Sequence, residues 1–270
     1  MALLEVHNLS VGFKMYRTFY RRALGFAVDD LTLSAEPGQI LGIVGASGSG
    51  KSLLAHAIMG LLPYNAVQRG EIDYAGEPVT RQRVRQLQKR EFALIPQSIG
   101  YLDPLKRVRG QLVEHGTPVA AELNEIAGRF GLVRHDLDKF PFQLSGGMAR
   151  RILLATAMLS PARLIIADEP TPGLSVDLAR QMLADFRALA DEGRCVLIIS
   201  HDVDLISAVA DRVAILNRGR LVAELTAYEF THPDECDTDP YAKALWRALP
   251  QNGFGTQIPG AAGEEQETAC

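Results

Sequence analysis

The sequence predicts an α/β fold built around a parallel sheet, with antiparallel strands at its edge and a helical insertion. Three observations carry that expectation. Four short apolar runs, Ile40 to Val44, Phe92 to Ile95, Leu164 to Ala167 and Val196 to Ile199, are nearly unbroken and each is bounded by Gly, Pro or charge. Continuous rather than alternating hydrophobicity suits strands buried on both faces, as in parallel sheets. Helical patterns at Lys51 to Leu61, Met148 to Leu159 and Val176 to Asp191 fall between the runs, and strand alternating with helix is the α/β pattern.

The remaining elements follow in order. Leu3 to Val11 and Leu31 to Ala35 alternate more, and read as antiparallel edge strands. Ser98 to Phe142 carries no strong strand signal and reads as a mostly helical insertion. Arg212 to Leu216 and Arg220 to Glu224 flank Asn217-Arg218-Gly219, a hairpin pattern. After Pro250 the chain is rich in Gly, Glu and Gln, and the last twenty or so residues are expected to be poorly ordered. No internal repeat is evident.

Composition bounds the function. With 270 residues and 47% hydrophobic content, the chain can bury the core of one large domain, with or without an embedded subdomain. A formal net charge of -4 gives no global basic field to attract nucleic acid. The local cluster Arg81, Arg83, Arg85, Lys89 and Arg90 reads as a solvated helix face. The N-terminus does not resemble a secretory signal, and no stretch approaches the roughly 18 apolar residues of a membrane span. The chain is therefore expected to be soluble and to reach any membrane through partners. Cys195, Cys236 and Cys270 are too few and too widely spaced for a zinc or cluster site, and Cys195 reads as core.

The strongest motif is Gly45-Ala46-Ser47-Gly48-Ser49-Gly50-Lys51-Ser52. It fits GxxxxGK[ST] throughout, follows a strand and opens a helix, the context that motif requires. Glycines let the backbone curl so that its N–H groups point at phosphate oxygens, and the helix N-terminus adds partial positive charge. Lys51 is placed to reach the β- and γ-phosphates of ATP, and Ser52 to ligate Mg²⁺.

Asp168-Glu169 end the Leu164 to Ala167 run. Ligands bind beyond the carboxyl ends of parallel strands, so these acids are expected beside the phosphate loop. Asp168 would hold Mg²⁺, and Glu169 would act as general base on water. An acidic pair after a strand is often only a helix N-terminal feature; the phosphate loop favours the catalytic role here.

Leu144-Ser145-Gly146-Gly147-Met148 precedes a helix about twenty residues before that strand. This segment, with the two motifs above, closely resembles the ABC ATPases, and the resemblance spans about Leu3 to Pro250. It implies a P-loop NTPase (RecA-like) core at about residues 1–97 and 159–225, a helical subdomain at about 98–158 and a C-terminal extension at about 226–270. Ser145, Gly146 and Gly147 would face the γ-phosphate of ATP held by a second subunit. Gln97 matches the Q-loop glutamine, touching Mg²⁺ or the water, and His201 the switch histidine that steadies Glu169. Phe13 is the first choice for stacking on adenine and Tyr16 the second, because an extra segment with Arg17, Phe19, Tyr20, Arg21 and Arg22 blurs the match.

Ile95-Pro96-Gln97-Ser98, Leu102-Asp103-Pro104-Leu105, Phe140 to Met148, Ile165 to Thr171 and Asp239-Pro240-Tyr241 are similar to oligopeptide, dipeptide and nickel importers. The resemblance implies a peripheral subunit on the cytoplasmic face of the inner or cell membrane. It implies two permease subunits, a homologous ATPase and an extracytoplasmic binding protein as partners. Peptides and nickel or a metal chelate are comparable cargoes. Cysteine-ligated clusters occur in some relatives' extensions; none is expected here.

One departure is Ser175, which stands where the D-loop usually has Asp, with Asp177 nearby. It favours pairing with a non-identical ATPase over a homodimer. Two other expectations stay open: a soluble ABC ATPase in a non-transport assembly, such as one resembling the carbon–phosphorus lyase complex, and a regulatory nucleotide-binding partner with an impaired site.

Overall fold

A computed structural model describes residues 1–18, 21–114 and 120–248. The chain opens with β1 (Leu4–Thr18) and β2 (Arg21–Ala35), then β3 (Ile40–Gly45), α1 (Lys51–Ile58), β4 (Ala66–Tyr74), β5 (Glu77–Pro78), α2 (Arg81–Arg90) and β6 (Phe92–Ile95). In the stretch that follows, the described residues form no strand and hold α3 (Val108–Glu114), α4 (Ala120–Arg129) and α5 (Gly146–Leu159). Next come β7 (Leu164–Asp168), α6 (Val176–Asp191), β8 (Cys195–Ile199), α7 (Val203–Ser207), β9 (Arg212–Asn217) and β10 (Arg220–Thr226). Two short helices end the described chain, α8 (Ala227–Thr231) and α9 (Pro240–Arg247).

Six strands form one sheet in the order β10-β9-β3-β8-β7-β6. All its pairs are parallel except β9 with β10. The unbroken hydrophobicity of the central strands has a direct cause. Ile40, Val44, Ile165, Ala167, Val196 and Ile198 pack into one core. Their alternates Leu41, Ile43, Leu164, Ile166, Leu197 and Ile199 pack into another. Successive side chains point to opposite faces, so a strand covered on both sides must be apolar at every position. Each such Val, Leu or Ile side chain contributes about 1.5–3 kcal/mol when fully buried.

β2-β1-β4-β5 form a separate antiparallel sheet, with β1 between β2 and β4. The antiparallel part is thus more extensive than two edge strands. β1 and β2 run on into the extra segment, pairing as far as Thr18 with Arg21. The backbone of Tyr16 lies in β1; its side chain and residues Phe19 and Tyr20 lie outside the described residues, as does everything after Ala248. β4 and β5 carry no clear strand pattern in the sequence: of β4 only Ile72 and Tyr74 are buried, and β5 is exposed.

Other elements agree with expectation to within a turn. α1 ends at Ile58 rather than Leu61, with Gly60 and Pro63 following. α6 spans Val176–Asp191 as expected. The basic cluster lies on α2, which buries Val84 and Leu87 and exposes Arg81, Arg85, Lys89 and Arg90. Arg83 departs from that face and donates to the Tyr74 carbonyl at 2.9 Å. Phe230 of α8 meets Trp246 of α9 edge-on at 5.5 Å, both against the core that holds α5 and α6. Cys195 is buried, and burial pushes its thiol up to about 12. No helix among the described residues is long and apolar enough to cross a membrane.

Candidate nucleotide site

The carboxyl ends of β3, β7 and β8 deliver the site, as parallel topology requires. After β3 the chain turns through Gly45 to Gly50 into α1. Two of these positions require glycine. A Cβ on Gly45 would lie 2.1 Å from the Leu216 carbonyl oxygen. Gly50, the residue before α1, has φ +98°, and its Cβ would meet the Ala27 carbonyl at 2.7 Å. Lys51 is buried and its ammonium donates to the carbonyls of Gly45 and Ala46 at 2.8 and 3.0 Å. Burial lowers its pKa, and the carboxylates of Glu169 and Asp168 oppose that shift. Ser49 Oγ is buried with no hydrogen-bond partner.

β7 ends at Asp168, which pairs in register with Ile199 of β8. Asp168 is 3% exposed, and its Oδ1 accepts from Ser52 Oγ at 3.1 Å. Burial pushes its carboxyl upward, the Ser52 hydrogen bond works against this, and neighbouring Glu169 adds to the rise. Hard oxygen donors on a buried carboxylate and a hydroxyl suit Mg²⁺, so these residues fit that ion.

Glu169 has an unusual backbone, with φ +49°. Its N–H donates to the Ile199 carbonyl at 2.8 Å. Its carboxylate lies 2.8 Å from His201 Nδ1 and accepts from Ser200 Oγ at 3.5 Å. Ser200 and His201 directly follow β8, so adjacent strands deliver the carboxylate and its imidazole partner. Ser200 in turn accepts from the Asp202 N–H.

A cavity of about 470 Å³ gathers Lys51, Ser52, Glu169 and His201, with Asp168 behind Ser52 rather than on its wall, a size suited to a small-molecule ligand. Phe13, Ser47 to Leu53, Gln97, Glu169 and His201 line it, with Ala27 and Pro172. A larger groove of about 750 Å³ opens between α1, β4 and α2. It lacks the phosphate loop and any carboxylate, so the smaller cavity is the candidate site.

Ser145, Gly146 and Gly147 are not brought to this cavity. Ser145 caps α5, accepting from the Met148 N–H at 3.3 Å, and it and Gly146 are exposed. Ser175 caps α6 in the same way through the Leu178 N–H, also exposed, with Asp177 in the first turn.

Sequence reasoning missed Arg150. This buried residue of α5 donates from its guanidinium to the carbonyls of Glu169 and Gln97, the latter at 2.6 Å. No motif pointed to it, because it contacts main chain from a distant helix. Ser200 was missed too; a buried hydroxyl before His201 is a weak signal by itself.

A phosphate loop opening a helix, next to a carboxylate–imidazole pair at neighbouring strand ends, defines a P-loop ATPase. The ABC transporter family model matches residues 28–172. The chain belongs to the ABC transporter family and is one of its ATPases. It is 32% identical to the dipeptide transport ATP-binding protein DppD of Escherichia coli, over 93% of this chain and 79% of that protein. It is 31% identical to the oligopeptide transport ATP-binding protein OppD of Bacillus subtilis, over 92% and 72%. It is 35% identical to the E. coli ABC transporter ATP-binding protein YejF over 95% of this chain, but spans only 50% of that protein's length. Among solved structures, a post-hydrolysis ATP-binding cassette dimer bound to ADP and phosphate shares the fold, with a TM-score of 0.72 and 22% identity over 83% of this chain and 98% of that one. An ATP-binding subunit of an ABC transporter gives a TM-score of 0.71 and 25% identity over 86% and 93%.

Proposed function

We propose that this chain is the motor subunit of an ABC importer for peptides, driving separate membrane permeases by ATP hydrolysis. The observation that carries the reading is the single cavity lined by Lys51, Gln97, Glu169 and His201. The relatives named for dipeptide and oligopeptide transport support the cargo class.

In this reading the loop Gly45 to Ser52 cradles the ATP phosphates through backbone N–H groups, and Lys51 neutralises the β- and γ-phosphates. Phe13, at the cavity wall, stacks on adenine. Ser52 and Asp168, with Gln97, hold Mg²⁺, which when bound neutralises phosphate charge. Glu169 accepts a proton from the attacking water. His201, 2.8 Å away, keeps that carboxylate oriented and contacts the γ-phosphate. Hydrolysis then breaks the bond between the γ-phosphorus and the bridging oxygen, leaving ADP and phosphate.

Ser145, Gly146 and Gly147 serve the ATP of a second ATPase subunit. The exposure of Ser145 and Gly146, with all three residues away from this chain's own cavity, supports that role. The helical stretch between β6 and β7 receives the permease, so that closure of two ATPase subunits moves the channel. The subunit then sits on the cytoplasmic face of the membrane, beside a non-identical ATPase and below an extracytoplasmic binding protein.

The experiment is affinity isolation of the tagged chain from detergent-solubilised membranes, with uptake measured in cells carrying wild type or Lys51→Met. Co-isolation of membrane-spanning subunits and loss of ATP-dependent di- or oligopeptide uptake in the variant are expected. Uptake loss for nickel alone would overturn the cargo. Isolation solely with soluble enzymes would overturn the transport role.

A further inference from the structure

Glu169 holds a backbone conformation, φ +49°, that is strained for a non-glycine residue and persists only where the surroundings fix it. Its N–H is fixed by the Ile199 carbonyl and its carboxylate faces His201. The third anchor comes from α5. Arg150 Nη1 donates to the Glu169 carbonyl, and Nη2 of the same guanidinium donates to the Gln97 carbonyl at 2.6 Å. Arg150 is 8% exposed.

Gln97 and Glu169 follow β6 and β7, neighbours in the parallel sheet. One planar fork therefore ties the backbones of both cavity-lining loops to the helix that begins at Ser145. A guanidinium suits this task because its donors diverge from a rigid plane. The Lys ammonium is a single point, and an apolar side chain would leave both carbonyls without this donor. Burial lowers the pKa of Arg150, while the carboxylates of Glu169 and Asp168 oppose the shift. The charge is thus retained at a desolvation cost beside the site.

We propose that Arg150 is a positioning residue for hydrolysis: it holds Glu169 and the Gln97 loop in one register with α5, without touching nucleotide. This rests on the reading of Glu169 as general base. It predicts that nucleotide binding and turnover separate when Arg150 is changed.

The test compares Arg150→Met, Arg150→Lys, Glu169→Gln and the Arg150→Met/Glu169→Gln double variant in the assembled complex with the sibling ATPase's own hydrolysis disabled. Affinity for a fluorescent ATP analogue, kcat, KM and melting temperature are measured for each. Arg150→Met is expected to lower kcat by about 10- to 100-fold while KM and affinity stay within about 3-fold. Arg150→Lys is expected to restore part of kcat, and Arg150→Met to cost nothing further on the Glu169→Gln background. A kcat within 2-fold of wild type for Arg150→Met would overturn the proposal, as would matching losses of kcat and affinity or an additive double variant. If Arg150→Met does not fold, the Lys variant decides: wild-type kcat there, or a loss shared equally with affinity, overturns the positioning role. Wild-type hydrolysis by Glu169→Gln would instead overturn the base assignment, whatever Arg150 does.

Discussion

Asp168 is held where its charged form is penalised: it is 3% exposed, and Glu169 lies beside it. Its folded pKa is raised, so the native state keeps the proton to higher pH than the unfolded chain does. Where the native state binds more protons, stability falls as pH rises. The loss begins near the ordinary carboxyl value of about 3.9 and is complete above the folded value. Asp168→Asn, measured without nucleotide or metal, is therefore expected to melt higher than wild type at pH 7.5. That advantage should shrink toward pH 4, and an equal or lower melting temperature at pH 7.5 would contradict it. Such a site trades stability for function. Lys51, Ser52, Asp168, Glu169 and His201 were legible because loop pattern, strand ends and chain order carry them. Arg150 was not, because its partners are main-chain carbonyls 53 and 19 residues away, and such bonds impose no pattern on the sequence.

Elements were legible in proportion to how completely they are buried. β3, β7 and β8 are covered on both faces and read as unbroken apolar runs. β4 keeps a largely polar sequence, so its pairing with β1 left little trace. The arms of β1 and β2 beyond the expected strands run into the extra segment, where the pairing shifts register between Tyr16 and Thr18. The β9–β10 hairpin was readable from its turn. Arg218 and Gly219 have φ +48° and +84°, the pair of positive values that a two-residue hairpin turn favours. Gly219 also approaches the antiparallel sheet: a Cβ there would lie 2.6 Å from the Ala27 carbonyl of β2. Gly219→Ala is expected to cost about 2 kcal/mol through strain and displacement, read as a lower urea midpoint with unchanged m-value. A midpoint shift near zero would show that the turn relaxes freely.

Across the described residues, the two sheets and their helices place a cavity at the carboxyl ends of the parallel strands, with Ser145 and Gly146 exposed outside it. Ser175 satisfies a local need as the cap of α6. The extent of this arrangement was legible from motif order, whereas cargo and partners belong to surfaces of other chains. The central claim is that this chain's own site hydrolyses ATP through Glu169. It is tested most directly by phosphate release from an assembly in which only the sibling ATPase has been disabled, comparing wild type with Glu169→Gln. The wild-type chain should sustain turnover, and the variant should bind ATP with similar affinity but lose about 100-fold or more in kcat. Equal turnover in both, or none in either with ATP bound, would contradict it.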